Sequence, residues 1–464
     1  MGKRGNMKIL LLKPISDIYY VIQPNLGLGY LATIIRNEGH EVKILDAGKE
    51  NLTWDKFKEI VKENYDIIGI QMFTHEILDV EKHIKIIREN SDSTIIVGGA
   101  HISGLPEKTM KMDIDFGFIG ESEIGIREFI KLKKEEYIAA NLSHIPNLVW
   151  KMEENIIVNK KTQYKNLDDI QYPAWDLMPV NEYPLAPHGS FSRKKIVAPI
   201  IATRGCPYKC TFCGGKSVTG IKLRTRSVKN IIDEILFLYD KYKVKEFQIV
   251  DDNFTLKNKF VTEFCERIIS LNLDLALSLP NGIRIDSLNE ELLKLMEKAG
   301  FYSFAIGIES GNDRILKIMK KDLDKETIRE KIELIKKHTK INITGFFLIG
   351  YPGETEEEIL ETIEFAKSLN IDKASFMFVM PLPGSELWDL YEDKDVNWAD
   401  FFYYRIVKGF SDIPTERLKR LHKKAVREFY LRPKIILGLI KEIKTLNQIK
   451  MILRRFSNIF LARA

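Results

Sequence analysis

The sequence predicts two α/β units in series: a doubly wound parallel sheet, then a partial (β/α)6 parallel barrel, followed by a helical basic extension. Three observations predict it. Short apolar runs alternate with helical-period segments over residues 1–135 and again over 191–400. Glycine-rich strings stand where those runs end, as they do where the carboxyl ends of parallel strands meet a ligand. The charge is divided: residues 417–464 carry 14 Lys/Arg against 2 Asp/Glu, and the preceding 416 carry 57 against 63.

In the first unit, Lys8–Leu12, Glu41–Leu45, Ile67–Met72, Ser93–Val97 and Asp115–Ile119 read as strands. Leu28–Asn37, Trp54–Glu63, Leu78–Glu89 and Ile124–Leu132 have helical spacing. Residues 136–190 hold five prolines and read as a linker, with Leu148–Lys151 and Ile156–Asn159 able to form a hairpin. In the second unit the strands are Ile196–Thr203, Glu246–Val250, Leu273–Leu279, Tyr302–Ile308, Asn342–Leu348 and Lys373–Val379. Helical runs separate them at Val228–Lys241, Asn258–Leu271, Asn289–Ala299, Lys325–Thr339 and Thr355–Ser368, and residues 401–464 form the extension.

With 464 residues, 45% hydrophobic and 29% charged, the chain reads as folded rather than disordered. No apolar run approaches the roughly 18–20 residues of a membrane span. The run Ile9–Leu12 is too short for a secretory h-region, so the expectation is a cytoplasmic protein.

Three of the four cysteines fall within eight residues, Cys206-Pro-Tyr-Lys-Cys210-Thr-Phe-Cys213, directly after the first strand of the second unit. Three thiolates at this spacing can hold three irons of a [4Fe–4S] cubane and leave the fourth open. A structural zinc site normally takes four protein ligands, and no neighbouring Cys or His completes a set. Cys265, in a helical run, reads as a buried structural thiol.

The Cys-x3-Cys-x2-Cys pattern with Phe212 before its last cysteine, after a barrel's first strand, resembles the radical S-adenosylmethionine (SAM) superfamily. The resemblance implies that SAM chelates the open iron and yields a 5′-deoxyadenosyl radical on reduction, the electron coming from a flavodoxin or ferredoxin. It places Phe212, Asp251, Asp252, Arg284 and Glu309 at the SAM site. Asp251 and Asp252, in Ile249–Phe254, are acceptors for the SAM amino group or caps of the next segment. Arg284, in Asn281-Gly282-Ile283-Arg284, is positioned to fork onto the SAM carboxylate. Glu309 lies in Gly307-Ile308-Glu309-Ser310-Gly311. Glu354, in Gly350–Thr355, reads equally as part of an acidic first helical turn.

The N-terminal unit resembles the cobalamin-binding domain of one branch of that superfamily, through Asn25–Ala32, Val97-Gly98-Gly99-Ala100-His101 and Ile119-Gly120-Glu121-Ser122-Glu123. The resemblance places Gly98, Gly99, His101, Gly120 and Glu121 at the cofactor. His101 reads equally as a satisfied turn histidine. None of the eight histidines has Asp two positions before it, so the Asp-x-His-x-x-Gly cobalt-ligand motif is absent. The implied activity is methylation of an unactivated carbon of a small-molecule or lipid substrate. The alternatives are a non-methylating radical reaction such as cyclisation or C–C coupling, a tRNA-modifying member, and a scaffold with a vestigial site. The tRNA reading is weakened because no N-terminal cysteine set exists for a second cluster.

From Leu431 on, apolar residues recur at helical spacing with Lys441, Lys444, Lys450, Arg454 and Arg455 between them. Such a helix either lies in an anionic membrane interface or docks on the barrel with its cations solvated. Nucleic acid is disfavoured, as no aromatic-rich binding module accompanies the charge.

Overall fold

A computed structural model describes residues 6–16, 22–184, 192–391, 396–443 and 449. The first sheet is built on β1 (Lys8–Lys13), β2 (Glu41–Asp46), β3 (Ile67–Gln71), β4 (Thr94–Gly98) and β5 (Phe116–Phe118), all parallel. Their apolar runs are nearly continuous because the sheet is buried on both faces. One face packs Phe57, Val80, Ile84 and Ile102; the other packs Leu28, Ala32, Ile35 and Phe129.

The strand order is β2-β1-β3-β4-β5-β6-β7, where β6 (Leu148–Met152) and β7 (Asn155–Val158) add as an antiparallel hairpin. Segment 136–190 thus contains the hairpin that its two strand-like pieces allow. Its hairpin belongs to the first sheet because Leu148, Val149 and Trp150 are buried and need a strand partner. The order reverses between β1 and β3, which places a binding crevice at the carboxyl ends of those strands.

The second sheet has six parallel strands in the order β15-β14-β13-β12-β11-β8 and is not closed. These are β8 (Val197–Ile200), β11 (Glu246–Ile249), β12 (Ala276–Ile283), β13 (Phe301–Glu309), β14 (Asn342–Ile349) and β15 (Lys373–Phe378). The expected first strand stops at Ile200, and Thr203–Arg204 forms a separate β9. It pairs antiparallel with β10 (Arg224–Thr225). The helices between strands begin where side-chain caps dictate: Ser227, Asn289, Asp324 and Thr355 each accept from an N–H of the first turn.

The extension divides in two. Helix Thr415–Tyr430 docks on the barrel through Leu418, Leu421, Val426 and Phe429, with His422 hydrogen-bonded to the Phe376 carbonyl. Helix Pro433–Glu442 turns Ile435 inward and leaves Leu437 and Ile440 each 58% exposed. The cations expected at Lys444, Lys450, Arg454 and Arg455 lie outside the described residues. No helix among the described residues is long and apolar enough to cross a membrane.

Candidate active site between the two sheets

The cysteine loop leaves β9 and returns to β10, so a two-stranded ribbon closes its neck. Cys206 N–H donates to the Gly220 carbonyl at 3.2 Å, and Gly205 N–H donates to Asp252 Oδ2 at 3.2 Å. Asp252 Oδ2 also accepts from the Thr219 hydroxyl at 2.7 Å. Thr211, midway along the loop, takes Met319 and Leu387 as backbone partners, and its hydroxyl meets Tyr351 Oη at 2.7 Å. The loop is thereby held by the carboxyl-end segments after β11, β13, β14 and β15.

Cys206 and Cys210 are half-buried and Cys213 is exposed. Burial pushes all three thiols up, Cys210 to about 11, while Lys321 pulls each of them down. A second cation, Arg284, lies face-on to Tyr208 of the loop, 3.7 Å from the ring centroid. Two positive groups beside three potential thiolates partly offset the charge that a bound cluster concentrates there. No group of three His, Cys, Asp or Glu among the described residues closes around a single ion. Three thiol donors on one loop match three irons of a cubane cluster.

The structure sorts the expected residues. Asp251 is buried below the loop, where its Oδ1 accepts from Ala202 N–H at 2.8 Å. Desolvation raises its pKa to about 7 against the pull of Ala202 and Thr203. Glu309 ends β13 at φ +67°, strain that non-glycine residues keep only where the surroundings impose it. Its carboxylate meets Lys321 Nζ at 2.8 Å, buried. Phe212 packs into an apolar cluster with Leu105, Ile315 and Leu387.

Arg284 lies beside the loop, against the Tyr208 ring. Its fork is taken by Asp286, with Nε to Oδ1 at 3.2 Å and Nη2 to Oδ2 at 3.0 Å, and it donates further to the Lys321 and Asp322 carbonyls. Glu121 is engaged likewise: both of its oxygens accept from Arg224, on the ribbon at the neck of the loop. His101 follows Gly99 on the short helix Ala100–Gly104. It is buried, meets the Thr74 hydroxyl at 3.2 Å and packs edge-on against Trp398. Desolvation lowers its pKa to about 4, so it is neutral.

Glu354 is also buried. Its Oε2 accepts from Gly350 and Tyr351 N–H at 2.8 and 3.0 Å, and desolvation raises its pKa to about 7. Lys321 is the residue that sequence reading missed. It stands 108 positions after Cys213 in a turn between two helices, and no local pattern marks it.

The first sheet presents its carboxyl ends to this loop. Gly99 (φ +123°) follows β4, and a Cβ there would stand 2.6 Å from the Met72 carbonyl oxygen. Gly98 has open space around it, its nearest neighbour lying 3.9 Å from such a Cβ. Phe73, exposed after β3, stacks on His75 at 5.9 Å. Open glycine backbone and an exposed ring at the crevice suit a flat, largely apolar cofactor. Both ring nitrogens of His83 are engaged, Nε2 by Ile15 N–H at 3.2 Å and Nδ1 by the Asp79 carbonyl at 2.7 Å, so it offers no metal ligand.

The comparisons with known proteins agree with both halves. A model of the radical SAM superfamily matches residues 200–366, and a model of the B12-binding domain matches residues 15–130. An uncharacterised methyltransferase of Pyrococcus horikoshii is 33% identical over 456 residues, covering 94% of this chain and 95% of that protein. Cytidylyl-2-hydroxyethylphosphonate methyltransferase of Streptomyces wedmorensis is 28% identical, covering 83% and 81%. Anaerobic magnesium-protoporphyrin IX monomethyl ester cyclase of Rubrivivax gelatinosus is 27% identical, covering 83% and 69%.

Among solved structures, the fold is shared with the cobalamin-dependent SAM radical enzyme OxsB, with a TM-score of 0.72 at 17% identity over 98% of this chain and 72% of that one. It is also shared with the methyltransferase TsrM of Kitasatospora setae, with a TM-score of 0.68 at 18% identity over 84% and 75%. The chain belongs to the radical SAM superfamily, in the branch of methyltransferases whose barrel follows a B12-binding domain, and its cofactors are a [4Fe–4S] cluster, SAM and cobalamin.

Proposed function

We propose that this enzyme methylates an unactivated carbon of a small molecule, with Cys206, Cys210 and Cys213 holding the cluster. The observation that carries the proposal is the facing of the two crests. The segment after β5 and helix Ala100–Gly104 after β4 meet the β9–β10 ribbon and residues 215–218 that flank the cysteine loop, so the two cofactors would lie close together. When bound, the cluster with SAM supplies a hydrogen-abstracting 5′-deoxyadenosyl radical and cobalamin supplies a methyl group.

The chain's own residues bind and orient. Lys321 and Arg284 lower the cost of thiolate charge, and Lys321 in turn holds Glu309. Asp252 and Thr219 fix the neck of the loop, and Tyr351 fixes its middle through Thr211. Gly98 lets backbone lie close to the cofactor.

Anaerobic reconstitution with iron, sulfide and hydroxocobalamin, then SAM and a low-potential reductant such as flavodoxin or ferredoxin, tests the proposal. Formation of both 5′-deoxyadenosine and S-adenosylhomocysteine is expected. Failure of the wild type to assemble a cluster would sink the cysteine assignment. Likeness to a ring-forming cyclase favours a second reading, and 5′-deoxyadenosine without S-adenosylhomocysteine would select it.

The outward face of helix Pro433–Glu442, with Ile436, Leu437 and Ile440 beside Lys441, supports peripheral contact with anionic lipid and thereby a lipid-derived substrate. The full chain is expected to float with anionic liposomes and the Leu437→Asp, Ile440→Asp double variant to sediment. Equal recovery of both would refute the contact.

A further inference from the structure

The loop Ile119–Glu123 after β5 grips the cysteine segment on both flanks. Arg204 stands two residues before Cys206 and donates to Glu123 at 2.7 Å, with Glu121 at 3.4 Å. Arg224, its partner across the β9–β10 ribbon, binds Glu121 through both terminal nitrogens. Arg224 also donates to the Thr219 carbonyl at 3.0 Å, and Tyr30 of the first sheet's opening helix lies 5.1 Å from the Arg204 guanidinium. All four charged side chains are buried, and their charges balance.

Beyond Cys213, the same loop meets the segment again. A Cβ on Gly120 would lie 3.4 Å from the Val218 carbonyl oxygen, and Gly120 N–H donates to Ser103 at 2.8 Å. Helix Ala100–Gly104 packs on Gly215–Val218. A Cβ on Gly104 would come within 2.5 Å of the Pro383 carbonyl oxygen, and one on Gly384 within 3.1 Å of Gly104 Cα. Contacts this close leave the two crests no freedom to slide.

We propose that Glu121 and Glu123, with Arg204 and Arg224, are positioning residues that set the separation and orientation of the cluster relative to cobalamin; this rests on the cofactor placement of the proposed function. The carboxylates of Glu121 and Glu123 are engaged by the two arginines. They act through the ribbon at the neck of the cysteine loop. Because both arginines flank that loop and both carboxylates leave the end of one first-sheet strand, any slack in the network becomes slack between the two cofactors.

The test uses the full chain in two states. In the cofactor-free protein, amide hydrogen exchange over residues 203–226 is expected to rise at least tenfold in Glu121→Gln and in Glu123→Gln. In the loaded protein, pulsed paramagnetic resonance is expected to show one narrow distance between cob(II)alamin and the reduced cluster. That distribution is expected to widen in the variants while iron and cobalamin contents hold. The double variant Arg204→Met, Glu123→Met removes a pair without stranding a buried charge, and it provides the folded comparison if a single variant fails to fold.

Unchanged exchange, or a wild-type distance distribution in variants that keep both cofactors, would overturn the proposal. So would loss of cobalamin with unchanged exchange, because that would make Glu121 a direct cofactor contact. A wild type that binds neither cofactor would instead refute the proposed function, and the exchange measurement would still judge the network.

Discussion

Replacing Glu354 by glutamine separates a buried carboxyl's charge from its hydrogen bonds. The unfolded chain releases this proton near 4.5, whereas in the folded chain burial holds it until about 7. Between those values the folded state binds more protons, so stability is fully present below pH 4.5 and is lost as pH rises through 7. From pH 5 to pH 8 the loss amounts to about 2.5 kcal/mol at ~1.4 kcal/mol per pH unit. Glutamine keeps an oxygen for the Gly350 and Tyr351 N–H groups and carries no charge. Urea denaturation of both proteins at pH 5 and pH 8 is the assay, and only the difference between them matters, since Glu76 and Asp251 titrate in both. The variant is expected to gain on the wild type as pH rises. A difference constant within about 0.5 kcal/mol would show that Glu354 is not held protonated by burial. The turn so stabilised presents Tyr351 to Thr211, so the same titration reaches the cysteine loop.

Cys210→Ala is expected to abolish the visible cluster band after reconstitution, while Cys265→Ala, buried within helix Asn258–Ser270, leaves iron content unchanged. Trp175→Phe strips the indole donor 3.0 Å from Glu234 Oε1 in a buried pair with Arg226, and thermal unfolding should register a loss of about 1–3 kcal/mol. Gly99→Ala forces a left-handed backbone and a close approach to Met72 and should cost ~2 kcal/mol or more. Gly98→Ala has room and should stay within about 0.5 kcal/mol, so equal melting of the two would refute the steric argument.

The parallel strands were legible because burial on both faces leaves unbroken apolar runs such as Ile9–Leu12. The cysteine loop was legible because its spacing is local. What a sequence does not display is long-range pairing. Arg284 reads as a free fork until Asp286, two residues on, is seen to bind it. Glu121 sits in a string that resembles a cofactor loop, yet its partner Arg224 lies 103 positions away and only the docking of two sheets unites them. Lys321 belongs to no motif, and its position follows from Met319 meeting Thr211. Phe401 stands at the start of what reads as a helical basic extension, yet it packs on Trp398, whose ring lies edge-on to His101.

The way Thr211 is tied bears on biosynthesis. Its partners are Met319, Tyr351 and Leu387, so a nascent chain shorter than about 390 residues cannot close the cysteine loop as it stands in the finished protein. Iron–sulfur loading in this geometry then awaits near-complete translation, and a ribosome-stalled chain ending before Pro383 should leave its three thiols open to alkylation.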